Sequence, residues 1–141
     1  MDLLARARAL AACPLFGSLA PAVVVRLAER ARAVELERGE RRTTDDTVWI
    51  VASGSLAVAV RETRDDVATA SLVRKRGAGA AAGTALGMIR IVRPQTPVVE
   101  VVAEQPSVLV GLSADDVRDV LEEDPTALAA LADRLAALLL S

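Results

Sequence analysis

The hydrophobic period of this chain changes twice along its length, which restricts the fold to a β core with helices at both ends. Leu3, Leu4, Ala7, Leu10 and Ala11 follow the i, i+3, i+4, i+7 rhythm while Arg6 and Arg8 stand off the stripe, predicting an amphipathic helix that Pro14 ends. Pro21 occupies a tolerated first helical position, and Val24, Leu27, Ala28 and Ala31 oppose Arg26, Glu29 and Arg30, predicting a second helix. Between residues 33 and 110 the period falls to two. Val48, Ile50 and Ala52 alternate with Trp49 and Val51, then Leu56, Val58 and Val60 with Ala57, Ala59 and Arg61. These are strands joined at Ser53-Gly54, and further runs at residues 67–73, 98–103 and 108–112 extend the pattern to roughly six to eight short strands.

The helical period then returns. Ser113 stands three residues before Asp116, a capping-box-like start ahead of Val117, Val120 and Leu121. Asp124 can cap a last helix that opens at Pro125 and carries Leu128, Leu131, Leu135, Leu138 and Leu139, with Asp133 and Arg134 its only charges. A helix so apolar must be buried against something. The expected architecture is mainly β with flanking α-helices in one domain, 1–141: N-terminal helices in 1–32, a β-sandwich or roll in 33–112 and C-terminal helices in 113–141.

Composition narrows the function. A formal net charge of −2 gives no basic footprint for nucleic acid. One cysteine, Cys13, and no signal-peptide pattern lead to a cytoplasmic expectation, and no apolar stretch is long enough to span a bilayer. With no histidine or tyrosine, and carboxylate pairs such as Asp45-Asp46 and Asp115-Asp116 placed at turns and helix starts, the chain lacks a proton shuttle and is expected not to be an enzyme. No metal-ligand spacing occurs and no metal is expected. Phe16 and Trp49 are the only aromatic residues, too few to line a pocket with rings.

Several strings together resemble the cyclic-nucleotide-binding domain family, the sensor module of catabolite-activator-type regulators, cyclic-nucleotide-dependent kinases and gated channels. They are Pro14-Leu15-Phe16, the passage from Val48 through Ser53-Gly54 to Leu56, the passage from Leu109 to Val117, and Asp124-Pro125. The resemblance covers most of the chain and implies the family's β-roll, a double-stranded β-helix or jelly roll. In the family, a phosphate-binding cassette reads approximately Gly-x-Gly-Asp-x-Phe-Gly-Glu and is followed by an Arg. Its Glu holds the ribose hydroxyl and its Arg the cyclic phosphate. Here Gly77, Gly79 and Gly83 match the glycines, but Ala80 stands for the Asp, Ala82 for the Phe and Thr84 for the Glu. Counting forward reaches Arg93 for the Arg, while counting back from the last strand reaches Pro97.

Charge-assisted hydrogen bonds contribute about 1.5–3 kcal/mol each, so losing the Glu and misplacing the Arg would remove about 3–6 kcal/mol, or ~2–4 decades of affinity. The resemblance with these departures gives a regulatory or assembly module with a degenerate pocket and no cofactor. It would act by protein association, as a homodimer or with a larger partner, through Leu128, Leu131, Leu135 and Leu138. The chain as given stops at Ser141 without a helix-turn-helix, so output is expected to pass through that partner. The alternative is a true sensor, binding a cyclic nucleotide or other anion at Gly83, Thr84, Ala85, Leu86 and Gly87 with help from Arg93.

Overall fold

The computed structural model of the chain describes residues 1–62, 71–88 and 98–140. Two helices, α1 (Leu3–Ala12) and α2 (Pro21–Arg30), precede the strands β1 (Arg32–Leu36), β2 (Arg41–Thr43), β3 (Thr47–Ser53), β4 (Ser55–Glu62), β5 (Ser71–Ala81), β6 (Ala85–Leu86), β7 (Val99–Ala103) and β8 (Ser107–Ser113). Two more helices close the order, α3 (Ala114–Glu122) and α4 (Pro125–Leu140). Helix starts are capped where the sequence placed the caps. The Ser113 hydroxyl accepts the Asp116 N–H at 3.0 Å, and the Asp124 carboxylate accepts the N–H groups of Thr126 and Ala127 at 3.1 Å.

The strands form two antiparallel four-stranded sheets, β1-β8-β3-β6 and β2-β7-β4-β5. They face each other across a core of Leu36, Trp49, Val51, Leu56, Val101, Ala103 and Leu109. The other face of the first sheet carries Val48, Ile50, Val110 and Leu112, and the helices and the α1–α2 connection cover it with Leu10, Phe16, Leu27, Val117, Leu121, Leu131 and Leu135. This explains why β3 reads as apolar residues alternating with other apolar residues. Val48 through Val51 are all buried, alternate side chains serving the two cores. Trp49 links the sheets, its Nε1–H donating to the Thr43 carbonyl on β2 at 2.7 Å.

Residues 77–84, which carry the cassette-like glycines, are strand as far as Ala81, because β5 pairs with β4 through Ser55↔Ala81, Leu56↔Ala80 and Ala57↔Gly79. The expected strand at 67–73 lies partly outside the described residues, and β5 begins at Ser71. Between the helices, Arg26 pairs with Glu123, and Arg30 lies 3.4 Å from Asp116 and 3.7 Å from Asp119. Exposed pairs of this kind contribute about 0–1 kcal/mol each, so the buried apolar contacts beneath hold α2 on α3.

Candidate ligand loop and helical face

The candidate ligand residues lie on the short connection from β5 through β6. A turn at Gly83, with φ 91°, reverses the chain after Ala81 and lays Ala85 and Leu86 beside Ile50 and Trp49 of β3. The Gly83 N–H donates to the Val51 carbonyl at 2.8 Å, the Thr84 N–H to the Ala81 carbonyl at 3.1 Å, and the Thr84 carbonyl accepts the Val51 N–H at 2.9 Å. Two of the amides expected to cradle an anion are therefore donated within the protein. Ala85 packs toward the helical core and Leu86 toward the core between the sheets.

Gly87 is glycine for a packing reason. A Cβ there would stand 3.0 Å from the Thr44 Cβ and 3.1 Å from the Thr47 carbonyl oxygen, at a φ of 91°. Beyond it opens a cavity of about 390 Å³ between the β2–β3 connection and the start of α3, lined by Asp45, Asp46 and Asp115 with Arg118 as the one cation among the described residues. Arg118 lies 2.9 Å from Asp115. Among the described residues, three carboxylates against one engaged guanidinium disfavour a phosphate at this end of the loop. Arg93, and the neighbouring Arg90, lie outside the described residues.

The four leucines expected to form an association surface divide. Leu131 and Leu135 are 3% and 7% exposed and belong to the helical core, as does Ala127, whereas Leu128 is 44% exposed. The Leu138 side chain lies outside the described residues. Leucines three and four apart make one stripe, and the domain's own core takes that stripe. The outward side of α4 carries Leu128 with Ala129, Ala132 and Ala136, beside the charged Asp133 and Arg134, all exposed. An association surface on this helix must therefore use the alanine side, a correction for Leu131 and Leu135.

Two further arrangements escaped the sequence reading. Arg41 reaches the carboxylate of Glu100 at 3.0 Å, and that side chain is only 8% exposed. The alternation along β7, with Val99, Val101 and Ala103 facing inward, already puts Glu100 on the opposite face, but the pairing of β2 with β7 is needed to bring Arg41 to it. Ser107, also buried, accepts the Ser55 N–H at 3.2 Å and donates to the Gln105 carbonyl at 2.9 Å. No local signal marks that serine. Among the described residues no group of His, Cys, Asp and Glu could hold a metal ion, and no helix is long and apolar enough to cross a membrane.

No protein-family model matches the sequence, and no curated protein matches it. Solved structures do match. The regulatory domain of Toxoplasma gondii PKA with cAMP superposes with a TM-score of 0.73 at 12% identity, over 96% of this chain and 50% of that one, so this chain spans half of that protein's length. The sensor domain of the transcriptional regulator DNR from Pseudomonas aeruginosa gives 0.72 at 18% identity, over 97% of this chain and 90% of the other. The N-terminal domain of a transcriptional regulator from Streptomyces coelicolor A3(2) gives 0.67 at 21% identity, over 98% and 90%. The chain has the fold that these domains share, the cyclic-nucleotide-binding type of antiparallel β-roll with flanking helices.

Proposed function

We propose that this chain is a regulatory or assembly module, built on a cyclic-nucleotide-binding-type roll whose ligand loop no longer takes a nucleotide, and that it acts through protein association. The observation that carries the reading is the fate of the loop amides. Gly83 and Thr84, which would have to turn their N–H groups toward an anion, give them to Val51 and Ala81. Thr84 cannot supply the carboxylate that the family resemblance leads one to expect for the ribose. The acid-lined cavity beside Gly87 works in the same direction. Association is supported by the outward apolar face of α4.

A ligand that binds only the folded state raises its apparent stability, by about 2.7 kcal/mol at a hundred times Kd. Thermal unfolding of the purified chain with cyclic AMP, cyclic GMP and cyclic dinucleotides up to millimolar concentration should therefore show no shift. A saturable rise at micromolar ligand would overturn the reading.

The sensor reading is favoured by one finding, the similarity over 96% of the chain to a domain solved with cAMP. On that reading Arg93 carries the phosphate, and Arg93→Ala should abolish a ligand-induced rise that the unaltered chain displays.

A further inference from the structure

Two apolar features stay uncovered among the described residues. One is a hollow of about 280 Å³ between α1 and α2, lined by Ala7, Ala11, Leu19, Val24 and Val25 with Arg8 at its edge. Leu3, Leu4 and Val25 are 40%, 59% and 40% exposed on these helices. The other is the outward face of α4, where Leu128 projects beside three alanines. Apart from Met1, Leu128 is the only large exposed apolar side chain among the described residues that lies outside α1 and α2. The first feature is concave and the second convex.

Charge separates in the same sense. Residues 1–32 carry five arginines against two acids, and residues 114–141 carry seven acids against two arginines, six of the seven at 115–124 and Asp133 with Arg134 on α4 itself. Within one chain Arg26 and Arg30 use part of this attraction on Glu123, Asp116 and Asp119. Arg8 makes no ion pair among the described residues. The basic end that holds the hollow and the acidic end that carries the protruding leucine complement each other.

Resting on the association reading above, we propose that α4 of one copy docks into the α1–α2 hollow of a second copy, with Leu128 entering the hollow and the acidic end of the molecule facing Arg8. Such a contact joins two different surfaces. It leaves a free hollow at one end and a free α4 at the other, so assembly continues past two copies unless a ring closes.

Sedimentation of the full chain over a range of concentrations tests this. The unaltered chain should show a mean mass that rises past the dimer. Val25→Glu closes the hollow and Leu128→Glu removes the projecting leucine, and each variant alone should be monomeric, with circular dichroism and Trp49 fluorescence verifying the fold. Mixed, they should form a one-to-one dimer that grows no further, because one good hollow and one good α4 remain. Arg8→Glu, which leaves the hollow apolar, should weaken association at least about threefold and flatten its salt dependence. A dimer that stops at two, with Val25→Glu still dimeric by itself and Leu128→Glu monomeric, would mean a symmetric α4 seam, overturning this inference and leaving the association reading intact. An unaltered chain that stays monomeric at millimolar concentration would overturn this inference and leave only association with a different protein.

Discussion

The ring of Trp49 lies directly over the backbone of Gly111, its partner in register on β8. A Cβ at position 111 would stand 2.6 Å from the ring's Cζ3 and 3.1 Å from Cε3. The absent side chain thus makes room for the indole that hydrogen-bonds to Thr43 and joins the two sheets. Gly111→Ala must displace the ring, and overpacking of this kind costs about 1–3 kcal/mol. Urea unfolding followed by circular dichroism should give a loss in that range. The loss should be largely absent when Trp49→Leu is already present, because residues in contact do not act additively. Equal losses in the two backgrounds would contradict the packing described.

A second pair of glycines separates backbone conformation from crowding. Gly39 and Gly54 have φ of 90° and 99°, but a Cβ at 39 meets nothing within 4 Å, whereas one at 54 would fall 2.1 Å from the Ser107 Oγ and 2.7 Å from its Cα. Gly39→Ala should cost only the left-handed penalty of about 1–2 kcal/mol. Gly54→Ala should cost clearly more, since it also breaks the bond from the Ser55 N–H to Ser107. Paired denaturant melts of the two variants decide it.

The buried carboxylate of Glu100 gives a third expectation. Its partner Arg41 is more than half exposed, so the pair's attraction is screened, but removing the arginine strands a charge on a side chain only 8% exposed. Arg41→Ala should destabilise by about 1–3 kcal/mol. Adding Glu100→Gln should recover part of the loss, an outcome that distinguishes a stranded charge from lost arginine packing.

The fold was legible because the periods of 3.6 and 2 are imposed by burial, and burial is what holds each element. Pro21, Ser113 and Asp124 mark helix starts for equally local reasons. The site was legible only in part. That Ala80, Ala82 and Thr84 could not serve as cassette side chains could be read from residue types alone. What the Gly83 amide does could not be read, since it depends on β3 lying alongside at Val51. The leucine stripe of α4 misled for a related reason. A sequence shows which face of a helix is most apolar but not whether that face meets the chain's own core or a partner. Here Leu131 and Leu135 join the domain's own helical core, which also holds Phe16, Leu27 and Leu121.

Cys13 supplies a test by pH. It is 1% exposed at the end of α1, and burial pushes its thiol above the ordinary value, opposed by weaker hydrogen bonds from the Leu15 and Phe16 backbone. A folded thiol that holds its proton longer than the unfolded one favours the native state fully at pH below the unfolded value, about 8.5, and that contribution fades as pH rises through the folded value. The chain has no tyrosine, and Lys75 is its only lysine, so few other groups titrate in that window. Stability measured by urea from pH 7 to 10 should therefore fall above about pH 8.5 in the unaltered chain and fall less in Cys13→Ala. A thiol reagent should label Cys13 only in step with unfolding, because the thiolate is the reactive form and the folded chain both buries the sulfur and disfavours its ionisation. Rapid labelling of the native chain at pH 7, or identical pH slopes in the two proteins, would show that the helix end at Cys13 opens to water.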